Sequence, residues 1–269
     1  MQNEKISQVK ADLAKKLGRK FAHAEPHFYT DGWTGAVVFD LDRKLLVKIT
    51  NTETIETQAE FLRENPGHVF SDLICYDLEI GYICFEFIDG RKFSEAQLDA
   101  EESIRQIAEI VRNYREYPDD AGYGFLRHEF PTWREFLQDE IDYARGYIPT
   151  VSMEKVTAAL EQIGEAAPRQ YLMHGDFGAH NFLLEDSGKI RVIDPMPAVG
   201  DYLYDFYFAI LSDTDIFTKV GEEFIYGFFE REMAEKKALL TIALYVRMSR
   251  AFKYDRENFE AYLRMYGEI

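Results

Sequence analysis

The stretch His174-Gly175-Asp176-Phe177-Gly178-Ala179-His180-Asn181, then Phe182-Leu183-Leu184, Glu185-Asp186-Ser187-Gly188-Lys189 and Ile190-Arg191-Val192-Ile193-Asp194, decides how this chain is read. Two short runs of strand-forming residues flank a polar turn containing glycine, which is the pattern of a β-hairpin. If Leu184 pairs near Lys189 or Ile190, then Asn181 and Asp194 come side by side at the open end. Asp176 precedes them on a loop entered from the apolar run Tyr171-Leu172-Met173. A loop carboxylate, an amide and a second carboxylate therefore converge. Carboxylate and amide oxygens suit Mg²⁺ when the ion is held mainly by phosphate oxygens and water. An acceptor carboxylate beside such a pair is the layout of phosphoryl transfer to a hydroxyl.

A lone Asp-x-x-x-x-Asn carries no meaning, but the full string does. His174-Gly175-Asp176, Asn181 and Asp194 behind a hairpin resemble the aminoglycoside phosphotransferase family, whose kinase-like relatives include choline and methylthioribose kinases. The likeness covers nearly the whole chain. It implies an α+β, protein-kinase-like two-lobe fold. The N-terminal lobe would be an antiparallel sheet at residues 1–88, and the C-terminal lobe would be mainly helical at 89–269. It also implies ATP or GTP as donor, Mg²⁺ at Asn181 and Asp194, and Asp176 accepting or orienting the proton of the attacking hydroxyl. The phrases Gly122-Tyr123-Gly124 and Thr132-Trp133-Arg134-Glu135-Phe136 are similar to the hygromycin phosphotransferase branch.

Composition bounds the rest. The chain has 269 residues, 46% hydrophobic and 15% aromatic, enough for a large core and unlike a disordered segment. No run of about 18 apolar residues suggests a membrane span, and the N-terminus lacks a signal peptide's apolar stretch, so a cytoplasmic location is expected. Cys75 and Cys84 sit in apolar runs and read as two buried thiols rather than a disulfide or metal site. A net charge of −17 argues against nucleic acid as a partner. Most of that charge serves solubility, and part of it could steer a polycationic substrate.

Along the N-terminal half, residues 3–17 carry Ile6, Val9, Leu13 and Leu17 at helical spacing, with Gly18 as a C-terminal cap. The run His27-Phe28-Tyr29, then Thr30 to Gly35, then Ala36-Val37-Val38-Phe39 reads strand, turn, strand. Taken alone the turn is an ordinary hairpin. With the downstream motif, Gly32 and Gly35 become candidates for bringing backbone N–H groups close to phosphates. No Walker-type Gly-x-x-x-x-Gly-Lys-Ser/Thr occurs. Lys48 is embedded in the apolar strand Leu45-Leu46-Val47-Lys48-Ile49, where an ammonium needs a partner. By the resemblance it would hold the α- and β-phosphates, paired with a glutamate of the helix at 53–64. Glu60 is the first choice and Glu56 the second, because Gln58 stands where the family has its glutamate. Residues 69–76 and 79–88 read as two further strands. The second would end as the family's hinge, with the Glu86 carbonyl and the Ile88 N–H meeting the base edge and Phe85 packed behind it.

From Ser94 the pattern turns helical. Ser94 to Gln97 and Thr132 to Glu135 are capping boxes, and a further helix spans 153–163. His174 reads as scaffold, His180 as exposed polar filler, and Asp205 of Gly200-Asp201…Asp205 as a brace on the backbone of the catalytic loop. Pro195 stands where the family has an aromatic residue. The acceptor implied is a small hydroxylated and cationic molecule, an aminoglycoside first. Its ammonium groups would pair with acids among Asp139, Glu140, Asp142, Glu230 and Asp255. A metabolic kinase for a sugar or choline-like amine, a non-catalytic nucleotide-binding module and a cation-binding scaffold are the rival classes. Oligomeric state is not legible.

Overall fold

Apolar and polar residues alternate along the strands of the N-terminal third, and that alternation decides which side chains meet the core there. The computed structural model describes residues 2–29, 36–95, 99–118 and 121–268. The chain forms two compact units, Met1–Gly90 with Arg191–Ile193, and Arg91–Ile190 with Asp194–Ile269.

In the first unit, helix α1 (Gln2–Leu17) ends at Gly18, whose N–H donates to the Ala14 carbonyl at 3.2 Å. Strands β1 (Pro26–Tyr29), β2 (Val37–Leu41) and β3 (Leu45–Ile49) are followed by helix α2 (Thr52–Glu64), then β4 (Leu73–Asp77) and β5 (Tyr82–Glu86). The strands form one sheet in the order β1-β2-β3-β5-β4, every pairing antiparallel. Leu45, Val47 and Ile49 join Ile6, Val9, Leu13, Phe39 and Tyr82 in one apolar cluster. Lys48 falls between them, so its side chain leaves the opposite face of the strand. It is buried there, in register with Val38 and Ile83.

Helix α2 starts where the Asn51 side chain accepts from the Thr54 N–H at 2.8 Å. The expected stripe of Ile55, Ala59 and Leu62 is buried, as is Gln58. The strands expected over 69–76 and 79–88 are shorter than that. Asp77 accepts from the N–H groups of Glu79 and Ile80 and receives Gly81 N–H on its carbonyl, so the chain turns there. Gly32 and Gly35 lie outside the described residues.

The second unit contains β6 (Arg91–Lys92), α3 (Ala100–Arg112), β7 (Gly124–Phe125), α4 (Trp133–Tyr147), α5 (Glu154–Glu161), β8 (Tyr171–Met173) and β9 (Phe182–Leu184). Next, β10 (Ile190–Val192) carries the chain from the second unit into the first. Then come β11 (Ala198–Gly200), α6 (Tyr202–Ile210), α7 (Thr214–Val220), α8 (Glu222–Tyr226), α9 (Met233–Tyr254) and α10 (Arg256–Glu268). The 22-residue α9 is apolar on most of its circumference, and α4, α5, α6 and α10 pack around it. Among the described residues no helix is long and apolar enough to cross a membrane.

The Thr132–Glu135 capping box forms with both of its hydrogen bonds at 3.1 Å. The box expected at Ser94 does not open a helix. Ser94 lies in a single 3₁₀ turn, Phe93–Glu95, where the Phe93 ring packs edge-on against Phe182 at 5.7 Å. Helix α3 instead begins under Asp99, whose carboxylate accepts from the Glu102 N–H; Gln97 of the expected box lies outside the described residues. Helix α5 stops at Glu161, short of the expected Ile163. Cys75 and Cys84 face each other across β4 and β5 as free thiols, Cys84 buried and Cys75 only half-buried.

Candidate active site

Two neighbouring strands of a small sheet set the site. β11 lies between β7 and β8, with Ala198 opposite Met173. Beyond that register the Met196 N–H donates to the His174 carbonyl at 2.9 Å. The segments carrying Asp176 and Asp194 therefore run together past one end of the sheet. Gly175 makes this approach workable: its φ is +76°, and a β-carbon there would lie 2.0 Å from the Met196 carbonyl oxygen. Asp194 itself has φ +55°, a left-handed conformation that few non-glycine residues adopt and that marks many functional sites.

Helix α6 holds the loop after β8 at both ends. Asp205, fully buried, accepts from the Gly175 N–H at 3.1 Å and from the Tyr114 hydroxyl at 3.0 Å. Just past the helix, Ser212 Oγ accepts from the Ala179 N–H at 2.7 Å. Burial pushes the Asp205 carboxyl up to about 7, although its hydrogen bonds with Gly175 and Tyr114 favour the charged form. The brace expected for Asp205 is thus present in the geometry. His174 is fully buried, its ring 5.6 Å from that of Phe177, as suits a scaffold residue.

Inside the loop, a 3₁₀ turn at Ala179–Asn181 folds two side chains back onto Asp176. Asn181 Nδ2 donates to the Asp176 carbonyl at 2.9 Å and to Asp176 Oδ2 at 3.2 Å. His180 Nε2 sits 3.0 Å from the same Oδ2. The expectation that His180 is polar filler is therefore corrected: it touches the candidate base. Asp176 Oδ1 has no hydrogen-bond partner among the described residues, and the side chain is a quarter exposed. Burial alone would raise this carboxyl. The His180 hydrogen bond and the positive charges of His180 and Arg250 outweigh it and hold Asp176 well below the usual carboxylate range.

The donor set fits a magnesium ion. The Asn181 amide nitrogen is turned to Asp176, its amide oxygen accepts no hydrogen bond among the described residues, and Asp194 follows on the adjacent segment. No three His, Cys, Asp or Glu side chains gather as a metal centre among the described residues. One amide and one carboxylate is what Mg²⁺ takes when phosphate and water complete its octahedron.

In the first unit Lys48 is buried on β3, Glu60 is half-buried on α2 and Glu56 is exposed. Phe85 and Ile88 are buried at the end of β5. The Glu86 N–H donates to the Asp72 carbonyl at 2.9 Å and the Phe87 N–H to the Lys44 carbonyl at 3.1 Å. The Ile88 N–H meets no hydrogen-bond acceptor among the described residues. Arg191 reaches the Glu86 carboxylate at 3.0 Å, a contact no motif announces.

Of the five acids expected to meet a cationic acceptor, Asp139, Asp142, Glu230 and Asp255 are exposed and Glu140 is buried. Glu140 accepts from the Tyr204 hydroxyl at 3.4 Å and lies 3.7 Å from Arg250 Nη2. Burial raises its pKa, with Arg250 acting against that.

The fold matches solved phosphotransferases. A choline/ethanolamine kinase family protein from Mesorhizobium loti aligns with TM-score 0.58 at 15% identity, covering 98% of this chain and 93% of its own. A thermostable mutant of aminoglycoside phosphotransferase APH(4)-Ia, solved with AMP-PNP and hygromycin B, aligns with TM-score 0.58 at 18% identity over 96% of both chains. Macrolide 2′-phosphotransferase MphH from Brachybacterium faecium aligns with TM-score 0.61 at 14% identity over 97% of both chains. No curated protein sequence matches. The phosphotransferase enzyme family model, APH, matches residues 28–239, and with the two-unit α+β architecture and the His174–Asp194 loop geometry it follows that the chain belongs to this family.

Proposed function

We propose that the protein transfers the γ-phosphate of ATP or GTP to a hydroxyl of a small molecule, with Asp176 as the group that receives the hydroxyl proton. The observation that carries this reading is the division of labour at the Asp176 carboxylate. Oδ2 is held by Asn181 and His180, and Oδ1 is left for the substrate. The acceptor oxygen attacks the γ-phosphorus and forms the new O–P bond. The bond from that phosphorus to the β,γ-bridging oxygen breaks, the nucleoside diphosphate leaves with the electron pair, and the proton passes to Asp176. A carboxylate held so low is a weak base, so its contribution is to orient the hydroxyl and take the proton late.

Asn181 and Asp194 would hold Mg²⁺, which when bound neutralises charge on the phosphates. Lys48 with Glu60, the Gly32 and Gly35 turn, and the backbone of Glu86 and Ile88 beside Phe85 are the proposed nucleotide contacts. Each is supported by its burial or position where described, and by the family.

Two acceptor classes compete. A polycation such as an aminoglycoside is supported by the net charge of −17 and by the hygromycin B in one solved neighbour. A metabolite kinase is supported equally by the choline/ethanolamine kinase neighbour. A transfer screen with γ-labelled nucleotide against antibiotics, sugars, amines and hydroxy acids separates them. Absence of Mg²⁺-dependent nucleotide consumption with every acceptor would favour a non-catalytic nucleotide-binding module.

A further inference from the structure

The charges acting on Asp176 from outside its own loop include the cation Arg250 as well as the carboxylates Glu140 and Asp205. On α6, Asp205 braces Gly175, Ser212 just beyond the helix holds Ala179, and Phe208 lies between these two anchor points. Two guanidinium groups from α9 sit over that Phe208 ring, Arg247 at 4.8 Å and Arg250 at 5.7 Å from its centre. They are spaced three apart on the helix and so share one face with Lys253. The Lys253 ammonium donates to the Tyr147 hydroxyl at 3.2 Å, and Tyr147 in turn meets the Tyr143 hydroxyl at 3.2 Å on α4.

No carboxylate hydrogen-bonds these three cations among the described residues. Arg250 lies 3.7 Å from the buried Glu140, too long for a hydrogen bond, and also feels the charge of Asp176. Arg247 makes no ion pair among the described residues, and the Nε atoms of both arginines are buried without a hydrogen-bond partner. A guanidinium presents a planar fork of donors suited to a carboxylate or phosphate, and stacking on an aromatic face pre-organises it. Tyr143, 48% exposed, adds a ring beside them on α4.

We propose that the acceptor carries, besides the hydroxyl that Asp176 orients, an oxyanion held by the Arg247–Arg250 pair on Phe208. The substrate class is thus a hydroxylated carboxylate or phosphate rather than an aminoglycoside. This rests on the phosphotransferase reading for its hydroxyl and stands on the arginine geometry for its anion.

The test is calorimetric titration of the full-length protein, first with AMP-PNP and Mg²⁺, then, with those saturating, with four probes sharing a hexose skeleton. The probes are gluconate (carboxylate), glucose 6-phosphate (phosphate), glucosamine (ammonium) and glucose (neutral). The expected result is binding of at least one anionic probe ten-fold or more tighter than glucosamine or glucose, and the two anionic arms decide between carboxylate and phosphate. Arg250→Gln and Arg247→Gln should each weaken that binding ten-fold or more, while Arg250→Lys restores part of it. Glucosamine binding tightest, neither anionic probe binding, or anion affinity indifferent to both glutamine variants would each overturn the proposal. Failure of AMP-PNP to bind would instead count against the phosphotransferase reading. The same four titrations on nucleotide-free protein would then still decide the arginine pair.

Discussion

Replacing Asp205 by alanine should destabilise the protein in a pH-dependent way, because this one side chain both braces the loop after β8 and holds an unusual proton. Two donors, the half-buried Gly175 N–H and the buried Tyr114 hydroxyl, lose their acceptor. An unsatisfied buried donor costs about 1–3 kcal/mol, so the Tyr114 hydroxyl alone takes a sizeable part of the roughly 5–15 kcal/mol that holds a domain folded. The proton adds a second effect of known sign. Burial raises Asp205 from 3.8 to about 7, so the folded state keeps its proton longer than the unfolded chain does. Its contribution to wild-type stability is therefore full below pH 3.8 and lost as pH rises through about 7. Two pH units at 1.36 kcal/mol each put that loss at roughly 3 kcal/mol between pH 5 and 7.

Urea unfolding followed by circular dichroism at pH 5 and pH 8, with unchanged slope, measures both effects. The other titrating groups cancel in the difference between wild type and variant. Asp205→Ala should be clearly less stable at pH 5, and the gap should narrow by roughly 3 kcal/mol at pH 8. Asp205→Asn, which keeps an oxygen for Gly175, should lose less at pH 5. A gap below about 1 kcal/mol at pH 5 would refute the brace, and one that stays constant or widens with pH would refute the raised pKa.

Three further outcomes are expected. His180→Ala removes a hydrogen bond and a positive charge from Asp176, so the acidic limb of the kcat/KM profile should move upward; an unmoved limb would show that His180 does not tune the base. Gly175→Ala places a methyl group against the Met196 carbonyl at positive φ, and thermal melting should report a loss of at least about 2 kcal/mol, where a neutral effect would contradict the packed approach of the two segments. The hydrogen bond from Cys84 pulls the Cys75 thiol down to about 7 against its burial, while Cys84 is pushed up. Iodoacetamide at pH 7 should then label Cys75 well before Cys84 by peptide mass mapping, and equal rates would contradict the assignment.

Local signals in the sequence survived into the structure where a single segment contains the whole cause. The Thr132–Glu135 box is such a case, since both its partners lie within one helical turn. The loop from His174 to Asn181 is legible in part: the spacing placed Asp176 and Asn181 on one loop, while the hydrogen bonds by which Asn181 folds back on Asp176 came only with the structure. The failures share another origin. Helix α3 is capped by Asp99 rather than Ser94, while Phe93 just before Ser94 packs on Phe182, a contact far along the chain that local pattern does not show. His180 lay in plain view, but its reach to Asp176 depends on a 3₁₀ turn rather than on composition. Cys75 and Cys84 meet only through a register set by the turn at Gly81. Arg247 and Arg250 carry no motif at all; they matter because α9 packs on α6 and lays them on Phe208. Helix packing partners of this kind are invisible to periodicity, which shows which face is buried but not what it is buried against.

The most direct measurement of the central claim is made on Asp176→Asn. Using whichever acceptor the transfer screen identifies, turnover and the AMP-PNP dissociation constant are measured side by side for wild type and variant. If Asp176 receives the hydroxyl proton, turnover should fall by roughly 10²–10⁴-fold while nucleotide affinity stays within about three-fold of wild type, since the proposed metal ligands Asn181 and Asp194 are not themselves replaced. Turnover that survives the substitution would remove Asp176 from the chemistry and with it this account of the site.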